Sequence, residues 1–188
     1  MAAPIKVGDK IPFGLTFTTS ANATETGACA IPQVCILPID TKMSDKLKEH
    51  ITQPIKSEDA LGKGKVILVA VPGAFTPTCH LQHLPGFIQH ADAFKAKGIS
   101  KIYVTSTNDI FVLDAWGKHE KAGDAVSFLA DGNGAFAAAI GFSLDLSAKG
   151  MGAVRTKRYA IVVEDGVVTY VGEGDLDVSG AEAVLAKL

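Results

Sequence analysis

Short apolar runs alternate with amphipathic stretches along the chain from residue 65 onward. Four runs have the length and composition typical of β-strands, namely residues 65–71, 101–107, 126–131 and 158–174. The first reads KVILVAV and is apolar throughout, which is typical of a strand covered on both faces of its sheet. The last contains Asp165-Gly166 at its centre and therefore predicts a β-hairpin of two antiparallel strands.

The stretches between and after these runs have helical periodicity. They predict four helices, over residues 79–97, 108–123, 132–142 and 179–188. Gly98 and Gly141 are suitable stops for the first and third helix. Asn108 is the predicted N-cap of the second helix. Ser179 is the predicted N-cap of the fourth, where Glu182 would complete a capping box.

The order of elements is strand, helix, strand, helix, strand, helix, hairpin, helix. It predicts an α/β fold with a central mixed β-sheet flanked by helices on both faces. Residues 18–62 differ, because they are rich in Thr, Pro and Gly and only weakly periodic. There we expect a hairpin or loop excursion, with one helical turn over residues 44–50. The 188 residues show no internal repeat, which predicts a single domain over residues 1–188.

Composition and charge narrow the classes of function. Of the residues, 47% are hydrophobic and 20% are charged, as in an ordinary globular protein. The formal net charge of −2 at pH 7 offers no electrostatic footprint for nucleic acid or an anionic membrane. No apolar run approaches the roughly 20 residues of a membrane-spanning helix. We therefore expect neither nucleic acid nor a membrane as a partner.

Cysteine content and both chain ends bear on the location. Three cysteines are too few and too unevenly spaced for the disulfide framework of a secreted protein. The first residues also lack the apolar core of a signal peptide. The last three residues, Ala186-Lys187-Leu188, have the small-basic-leucine form of a peroxisomal targeting signal. The predicted location is therefore cytoplasmic and/or peroxisomal.

The segment PGAFTPTC, residues 72–79, directly follows the first strand and places a cysteine where a helix begins. Pro77 suits the N-terminal edge of a helix, since a missing N–H costs nothing there. Cys79 would lie in the first turn, where unpaired N–H groups favour a thiolate over an inert thiol. Thr76 could bring a hydroxyl close to the sulfur. Pro85 should weaken the start of the helix, so that the sulfur could later be released.

Histidines near Cys79 raise the alternative of a metal site. His80 and His83 follow the cysteine closely, and cysteine with histidine can bind zinc. No second Cys/His cluster at the usual ligand spacing supports this alternative. The sequence therefore predicts neither a metal nor a cofactor.

Residues 72–87, PGAFTPTCHLQHLPGF, resemble the active-site segment of the peroxiredoxins, specifically the peroxiredoxin 5 class with its fungal-type thiol peroxidases and alkyl hydroperoxide reductases. Residues 4–12, 95–118 and 156–170 resemble that class in order and spacing as well. The resemblance covers nearly everything except about residues 18–62. It implies a thioredoxin-like fold in which that part is an N-terminal hairpin or loop insertion.

The resemblance also implies a set of catalytic residues. The family motif Pro-x-x-x-Thr-x-x-Cys corresponds to Pro72, Thr76 and Cys79. The family's arginine corresponds to Arg158, directly before the aromatic residue and the strand, with Arg155 as the alternative. The Cys79 thiolate would attack a peroxide oxygen and become a sulfenic acid. Arg158 and Thr76 would stabilise and orient the reacting peroxide.

The remaining assignments concern support and resolution. His83 lies four residues after Cys79, on the same helix face, and could hold Arg158 in place. The segment ACAIPQ around Cys29 resembles one in some fungal members, where such a cysteine forms a disulfide between subunits. Cys29 is therefore the resolving candidate, and an external thiol is the alternative. Cys35 has no assigned role.

The implied function is a thiol-dependent peroxidase that reduces hydrogen peroxide and alkyl hydroperoxides in antioxidant defence and redox homeostasis. Its implied partners are thioredoxin, glutaredoxin or glutathione as reductant, and a second copy of the chain in a homodimer. The alternative is a redox-sensing protein on the same fold that passes a disulfide to a partner. Both hypotheses need a reactive Cys79, so multiple turnover with a small thiol is what separates them.

Overall fold

The computed structural model describes residues 2–20 and 52–188. Within them, seven strands form one sheet in the order β2-β1-β5-β4-β3-β8-β9, and β6 pairs with β7 in a small second sheet. The strands are β1 (Thr16–Ser20), β2 (Thr52–Lys56), β3 (Lys65–Ala70), β4 (Lys101–Ser106), β5 (Ser127–Ala130), β6 (Ser143–Leu144), β7 (Arg155–Thr156), β8 (Tyr159–Glu164) and β9 (Val167–Glu173).

Short helices connect most of these strands. They are α1 (Ser57–Leu61), α2 (Leu84–Gln89), α3 (Ala91–Ala96), α4 (Ile110–His119), α5 (Ala135–Ala139), α6 (Leu176–Ser179) and α7 (Ala181–Leu185), with a π-helix at Cys79–His83 and a 3₁₀ turn at Ser147–Lys149. No helix in residues 2–20 and 52–188 has both the length and the apolar character needed to cross a bilayer.

The central sheet is mixed, as predicted. Strands β3, β4 and β5 are parallel, whereas β8 pairs antiparallel with β3, and β1 pairs antiparallel with β5. The predicted hairpin is confirmed, because β8 and β9 are antiparallel neighbours. Asp165 and Gly166 connect them with φ values of 46° and 80°, the positive backbone angles that a tight two-residue hairpin turn requires.

Strand β3 is covered on both faces, as its apolar run predicts. Ile67 and Val69 face a core that includes Phe87, Phe94 and Trp116 from the helices on one side. The alternate residues of β3 face a second core on the other side, formed with Phe17, Leu61, Phe136, Tyr159 and Ile161. Helices therefore pack on both faces of the sheet.

The single helix predicted over residues 79–97 is wrong in its continuity. The N–H of Leu84 donates to the carbonyl of Cys79, five residues earlier, which makes the first turn π-helical. Pro85 follows and has no N–H to donate. His90, with φ −97° and ψ 9°, then separates α2 from α3. Local backbone chemistry at Pro85 and His90 overrides the continuous apolar periodicity.

Two predicted helix caps are also wrong. Asp109, not Asn108, caps α4, and its carboxylate accepts from the N–H of Val112 at 3.0 Å. Ser179 is the last residue of α6, and Gly180 precedes α7 instead. The Ser179 hydroxyl donates to the carbonyls of Gly174 and Asp175, just before α6, so it forms no capping box with Glu182.

The N-terminal part is described only at its two edges. Strands β1 and β2 pair antiparallel, with Phe17 opposite Ile55. Helix α1 follows β2 directly and was not predicted, because a five-residue helix is too short to show periodicity. The predicted insertion has its centre in residues 21–51, outside the described residues, and so does the predicted turn over residues 44–50. Both stay predictions.

Candidate active site

The loop between β3 and the π-helix is held in an unusual conformation. Phe75 has a φ of 58°, which is rare for a bulky side chain and costs free energy unless the surroundings hold it. The neighbouring N–H of Ala74 donates to Asn108 Oδ1 at 2.9 Å, and Ser106 Oγ donates to the same oxygen. Asn108 therefore ties this loop to the end of β4. The sequence predicts Asn108 as a helix cap instead, because the contact with Ala74 joins residues distant in sequence.

Cys79 is the first residue of the π-helix, and its side chain is 0% exposed. The Thr76 hydroxyl donates to the carbonyl of Gly73 at 2.8 Å, which leaves its own lone pairs available to accept from a ligand. A Cβ at Gly73 would lie 3.1 Å from Thr76 Cγ2, so a side chain there would crowd the threonine. Gly73 thus allows the close approach on which the position of the Thr76 hydroxyl depends.

Arg158 lies between β7 and β8 and reaches the sulfur. Its Nη1 is 3.4 Å from Cys79 Sγ and 3.4 Å from His83 Nδ1. A guanidinium is a permanent cation with several N–H donors, so it stabilises negative charge on a neighbouring sulfur. The arrangement favours a thiolate that is shielded from bulk water.

His83 is buried and connects this arginine to the C-terminal helices. Its Nε2 lies 2.9 Å from the carbonyl of Ser179, an acceptor only, so Nε2 carries the hydrogen. Nδ1 therefore has the lone pair that accepts from Arg158. Burial lowers the pKa of His83 to about 4; the Ser179 carbonyl opposes this shift and the Arg158 charge adds to it. His83 is accordingly a neutral, fixed acceptor at physiological pH.

Arg155 and Arg158 contact different groups. Arg155 Nε donates to the carbonyl of Met151 at 2.7 Å, and its Nη1 donates to the carbonyl of Pro72 at 3.4 Å. Arg155 thus binds loop backbone, whereas Arg158 contacts the sulfur of Cys79. Of the two arginines considered in the sequence, Arg158 is the one placed for chemistry at the thiol.

The structure brings together most of the residues that were expected to act together. Arg158 Nη1 donates both to the sulfur of Cys79 and to Nδ1 of His83, and so links these two residues. Thr76 and Pro72 lie on the loop that leads into the π-helix. The predicted resolving residue, Cys29, lies outside the described residues, as does Cys35.

Sequence comparisons identify the family of the chain. A family profile with the description Redoxin matches residues 6–185. Peroxiredoxin-2C from Oryza sativa subsp. japonica is 48% identical over 132 residues, which cover 69% of this chain and 80% of the relative. Peroxiredoxin AHP1 from Chaetomium thermophilum is 37% identical over 191 residues, which cover 99% of this chain and 96% of the relative.

Solved structures extend this similarity to three dimensions. Reduced Prx3 from Vibrio vulnificus in complex with H₂O₂ has a TM-score of 0.78 and 33% identity, covering 97% of this chain and 98% of that one. Peroxiredoxin 5 from Alvinella pompejana has a TM-score of 0.72 and 30% identity, covering 98% and 97%. The predicted thioredoxin-like fold is confirmed. The chain belongs to the redoxin family and, within that family, to the peroxiredoxins.

Proposed function

We propose that Cys79 is the nucleophile with which this thiol peroxidase reduces hydrogen peroxide and alkyl hydroperoxides. Peroxide reduction by a thiol is the activity of the family, and it serves antioxidant defence. The observation that supports Cys79 is the contact of 3.4 Å between its buried sulfur and Arg158 Nη1. A fixed cation beside a thiol at the start of a helix is the setting of a reactive cysteine.

The chemistry of the first step follows from charge movement. The thiolate forms an S–O bond to one peroxide oxygen while the O–O bond breaks. The departing oxygen takes a proton and leaves as water or an alcohol, and the sulfur becomes a sulfenic acid. Negative charge passes from sulfur to the departing oxygen, so Arg158 stabilises both the thiolate and the transition state. The Thr76 hydroxyl oxygen accepts from the peroxide O–H and so orients it.

The loop and the π-helix contribute to this step and to the next one. Pro72 has no N–H that could compete for the thiolate, and it helps to exclude water from the pocket. Since the sulfur of Cys79 is fully buried, a resolving thiol can reach the sulfenic acid only after the first turn unwinds. The π-helical hydrogen bonding before Pro85 makes this turn easier to open than a regular one.

A thiol reductant such as thioredoxin completes the cycle. Glutaredoxin and glutathione are the alternative reductants. Thiol–disulfide exchange with any of the three releases the Cys79 thiol again. Cys29 is the proposed resolving cysteine, through a disulfide between two chains of a homodimer. The similarity to peroxiredoxin 5 from Alvinella pompejana supports membership in the peroxiredoxin 5 class.

The proposed location is cytoplasmic and/or peroxisomal. Lys187 is exposed, whereas Leu188 packs partly against the core beneath the C-terminal helices. A receptor that reads the last three residues would therefore have to draw Leu188 away from the core. A fluorescent fusion that leaves this C-terminus free should reach peroxisomes, and deletion of Leu188 should return it to the cytosol. Equal distribution of both fusions would contradict the peroxisomal part.

Replacement of the cysteines tests the proposed nucleophile. Cys79→Ser should abolish peroxide consumption, because the hydroxyl that replaces the thiol is not ionised at neutral pH. Cys35→Ser is the matched control and should retain activity. The measurement is steady-state peroxide loss with dithiothreitol as the reductant. Undiminished turnover in Cys79→Ser would refute the assignment, and a single turnover in the unmodified protein would favour the disulfide-relay alternative.

A further inference from the structure

Three potential metal ligands meet at the surface next to the catalytic cysteine. They are His80 on the π-helix, His119 at the end of α4, and Glu120, which follows it. One ligand atom from each lies within 4.8 Å of the other two. His80 Nδ1 and Glu120 Oε1 are 2.5 Å apart, and the two imidazole centroids are 5.2 Å apart. His80 lies far in sequence from the adjacent His119 and Glu120, so no ligand spacing in the sequence indicates the cluster.

The hydrogen bonds at His80 are in conflict when the cluster is empty and His80 is neutral. Trp116 Nε1 donates to His80 Nδ1 at 3.1 Å, which requires a lone pair on that nitrogen. The Glu120 carboxylate, close to the same nitrogen, can only accept and requires a hydrogen there. A cation bound to both Nδ1 and the carboxylate would satisfy the two ligands together. The Trp116 N–H could then donate to a carboxylate oxygen.

The surroundings of the cluster favour a cation. The side chains of His80 and Glu120 are 24% and 14% exposed, and no lysine or arginine of residues 2–20 and 52–188 pairs with Glu120. His119 is exposed, so its ring can adjust and the remaining coordination position opens to water. The Phe75 ring packs against both imidazoles, with centroids at 5.6 and 5.8 Å. The loop that carries the positive φ of Phe75 thus forms one wall of the cluster.

We propose that His80, His119 and Glu120 form a site for one divalent transition-metal ion, with Zn²⁺ as the ion that fits best. Two imidazoles and one carboxylate are a common zinc ligand set, whereas Mg²⁺ and Ca²⁺ prefer oxygen ligands alone. Cys79 takes no part, because its sulfur is buried against the Arg158 cation. The site is therefore different from the Cys79, His80 and His83 alternative considered in the sequence.

A metal here would connect two elements of the fold. His80 belongs to the π-helix that carries Cys79, and the other two ligands belong to the end of α4. The bound ion would hold the π-helix in its folded position. Zn²⁺ would therefore slow the unwinding that exposes the oxidised sulfur. This consequence, unlike the metal site itself, rests on the proposed function.

Calorimetric titration with ZnCl₂ tests the site without any thiol. The protein used is Cys29→Ser/Cys35→Ser/Cys79→Ser, since cysteine thiolates would otherwise bind zinc. One Zn²⁺ should bind per chain. His119→Ala, an exposed position, should weaken binding at least about tenfold, since outer-shell partners alone contribute about 10–100-fold. His90→Ala is the matched control and should leave the affinity unchanged.

Two outcomes would overturn the site. If the cysteine-free protein does not bind Zn²⁺, His80 and Glu120 are an ordinary ion pair. If His119→Ala binds as well as its parent, the ligands are elsewhere. Both outcomes leave the peroxidase assignment untouched, because that is tested with Cys79→Ser alone.

Amide hydrogen exchange tests separately whether the bound ion holds the π-helix in its folded position. In the cysteine-free protein, Zn²⁺ should slow the exchange of the amides of Cys79–His83 and Leu84, where position 79 is now serine. The same addition to His119→Ala should leave this exchange unchanged. If Zn²⁺ binds but these amides exchange as fast as before, the ion does not hold the π-helix in its folded position.

Discussion

The two arginines after β6 lie only three residues apart but contact different parts of the pocket. Arg158 contacts the sulfur of Cys79 and the imidazole of His83, whereas Arg155 contacts the carbonyls of Met151 and Pro72. Of the two, Arg158 is therefore the arginine that, on the proposed function, would stabilise the charge that moves from sulfur to oxygen. Arg155 holds the shape of the loop.

This difference predicts unequal losses for matched substitutions. Arg158→Gln should lower kcat/KM for hydrogen peroxide by about 10²–10³-fold, as removal of a donor to a developing anion does in other enzymes. Arg155→Gln should cost less than about tenfold, because it removes contacts to backbone only. Stopped-flow measurement of the reaction with peroxide compares the two variants. Equal losses in both would show that the contact to the sulfur is not what matters.

The buried imidazole of His83 predicts a pH dependence of stability. Burial lowers its pKa from 6.5, the ordinary value that applies in the unfolded chain, to about 4 in the folded protein. Between these values the unfolded chain takes up a proton that the folded protein does not, so the free energy of unfolding falls as the pH is lowered from 6.5 to 4. The loss should reach about 3 kcal/mol at the acid end. Well above pH 6.5, His83 is neutral in both states and this loss of stability is absent.

His83→Gln should remove that part of the pH dependence, because glutamine does not titrate. Urea unfolding of the variant and the unmodified protein at pH 7, 5.5 and 4.5 measures the difference in slope. The comparison cancels the contributions of all other groups, including the Asp131 carboxyl, whose pKa is raised by burial. A variant whose stability falls as steeply as that of the unmodified protein would place the titration elsewhere.

The sequence predicted elements that depend on local chemistry better than features that depend on tertiary contacts. The apolar run of β3 and the turn residues Asp165-Gly166 act through local physics, and both predictions are confirmed. Asn108 and Ser179 are good capping residues, yet their side chains bond elsewhere. Asn108 accepts from the N–H of Ala74, a contact distant in sequence that no local pattern contains, whereas Ser179 donates to carbonyls four and five residues earlier.

Helix α4 packs on the sheet through a glycine, and this contact gives an element-scale prediction. A Cβ at Gly117 would overlap the ring of Phe128 on β5. Gly117→Ala should therefore lower the free energy of unfolding by about 1–3 kcal/mol, as other overpacking changes do. Gly132→Ala is the matched control, since nothing lies within 4 Å of a Cβ there. Urea midpoints compare the two, and equal midpoints would contradict this packing.

At the scale of the whole molecule, the sequence predicted the layered architecture, which is confirmed. The roles of Cys79, Thr76 and Arg158 stay predictions. Hydrophobic periodicity and a specific motif carry this information along the chain. The neutral state of His83 and the meeting of His80 with Glu120 could not be predicted, because they depend on burial and on residues distant in sequence. Distances across the fold decide such features.

The proposed disulfide at Cys29 would link two chains, so its prediction concerns the dimer. Peroxide treatment should produce a covalently linked dimer on a non-reducing gel, and Cys29→Ser should abolish it. Cys35→Ser is the control and should leave the dimer intact. A linked dimer that survives in Cys29→Ser would assign resolution to another thiol, and monomer alone in the unmodified protein would favour an external one.

The chain has one tryptophan, Trp116, and its indole N–H donates to His80, the residue directly after Cys79. On the proposed mechanism, unwinding of the first turn would move His80, and the buried Trp116 would lose this partner. Intrinsic fluorescence should therefore follow the opening and closing of the active site in real time. Trp116 thus serves as an intrinsic fluorescent probe of this turn, and no added label is needed.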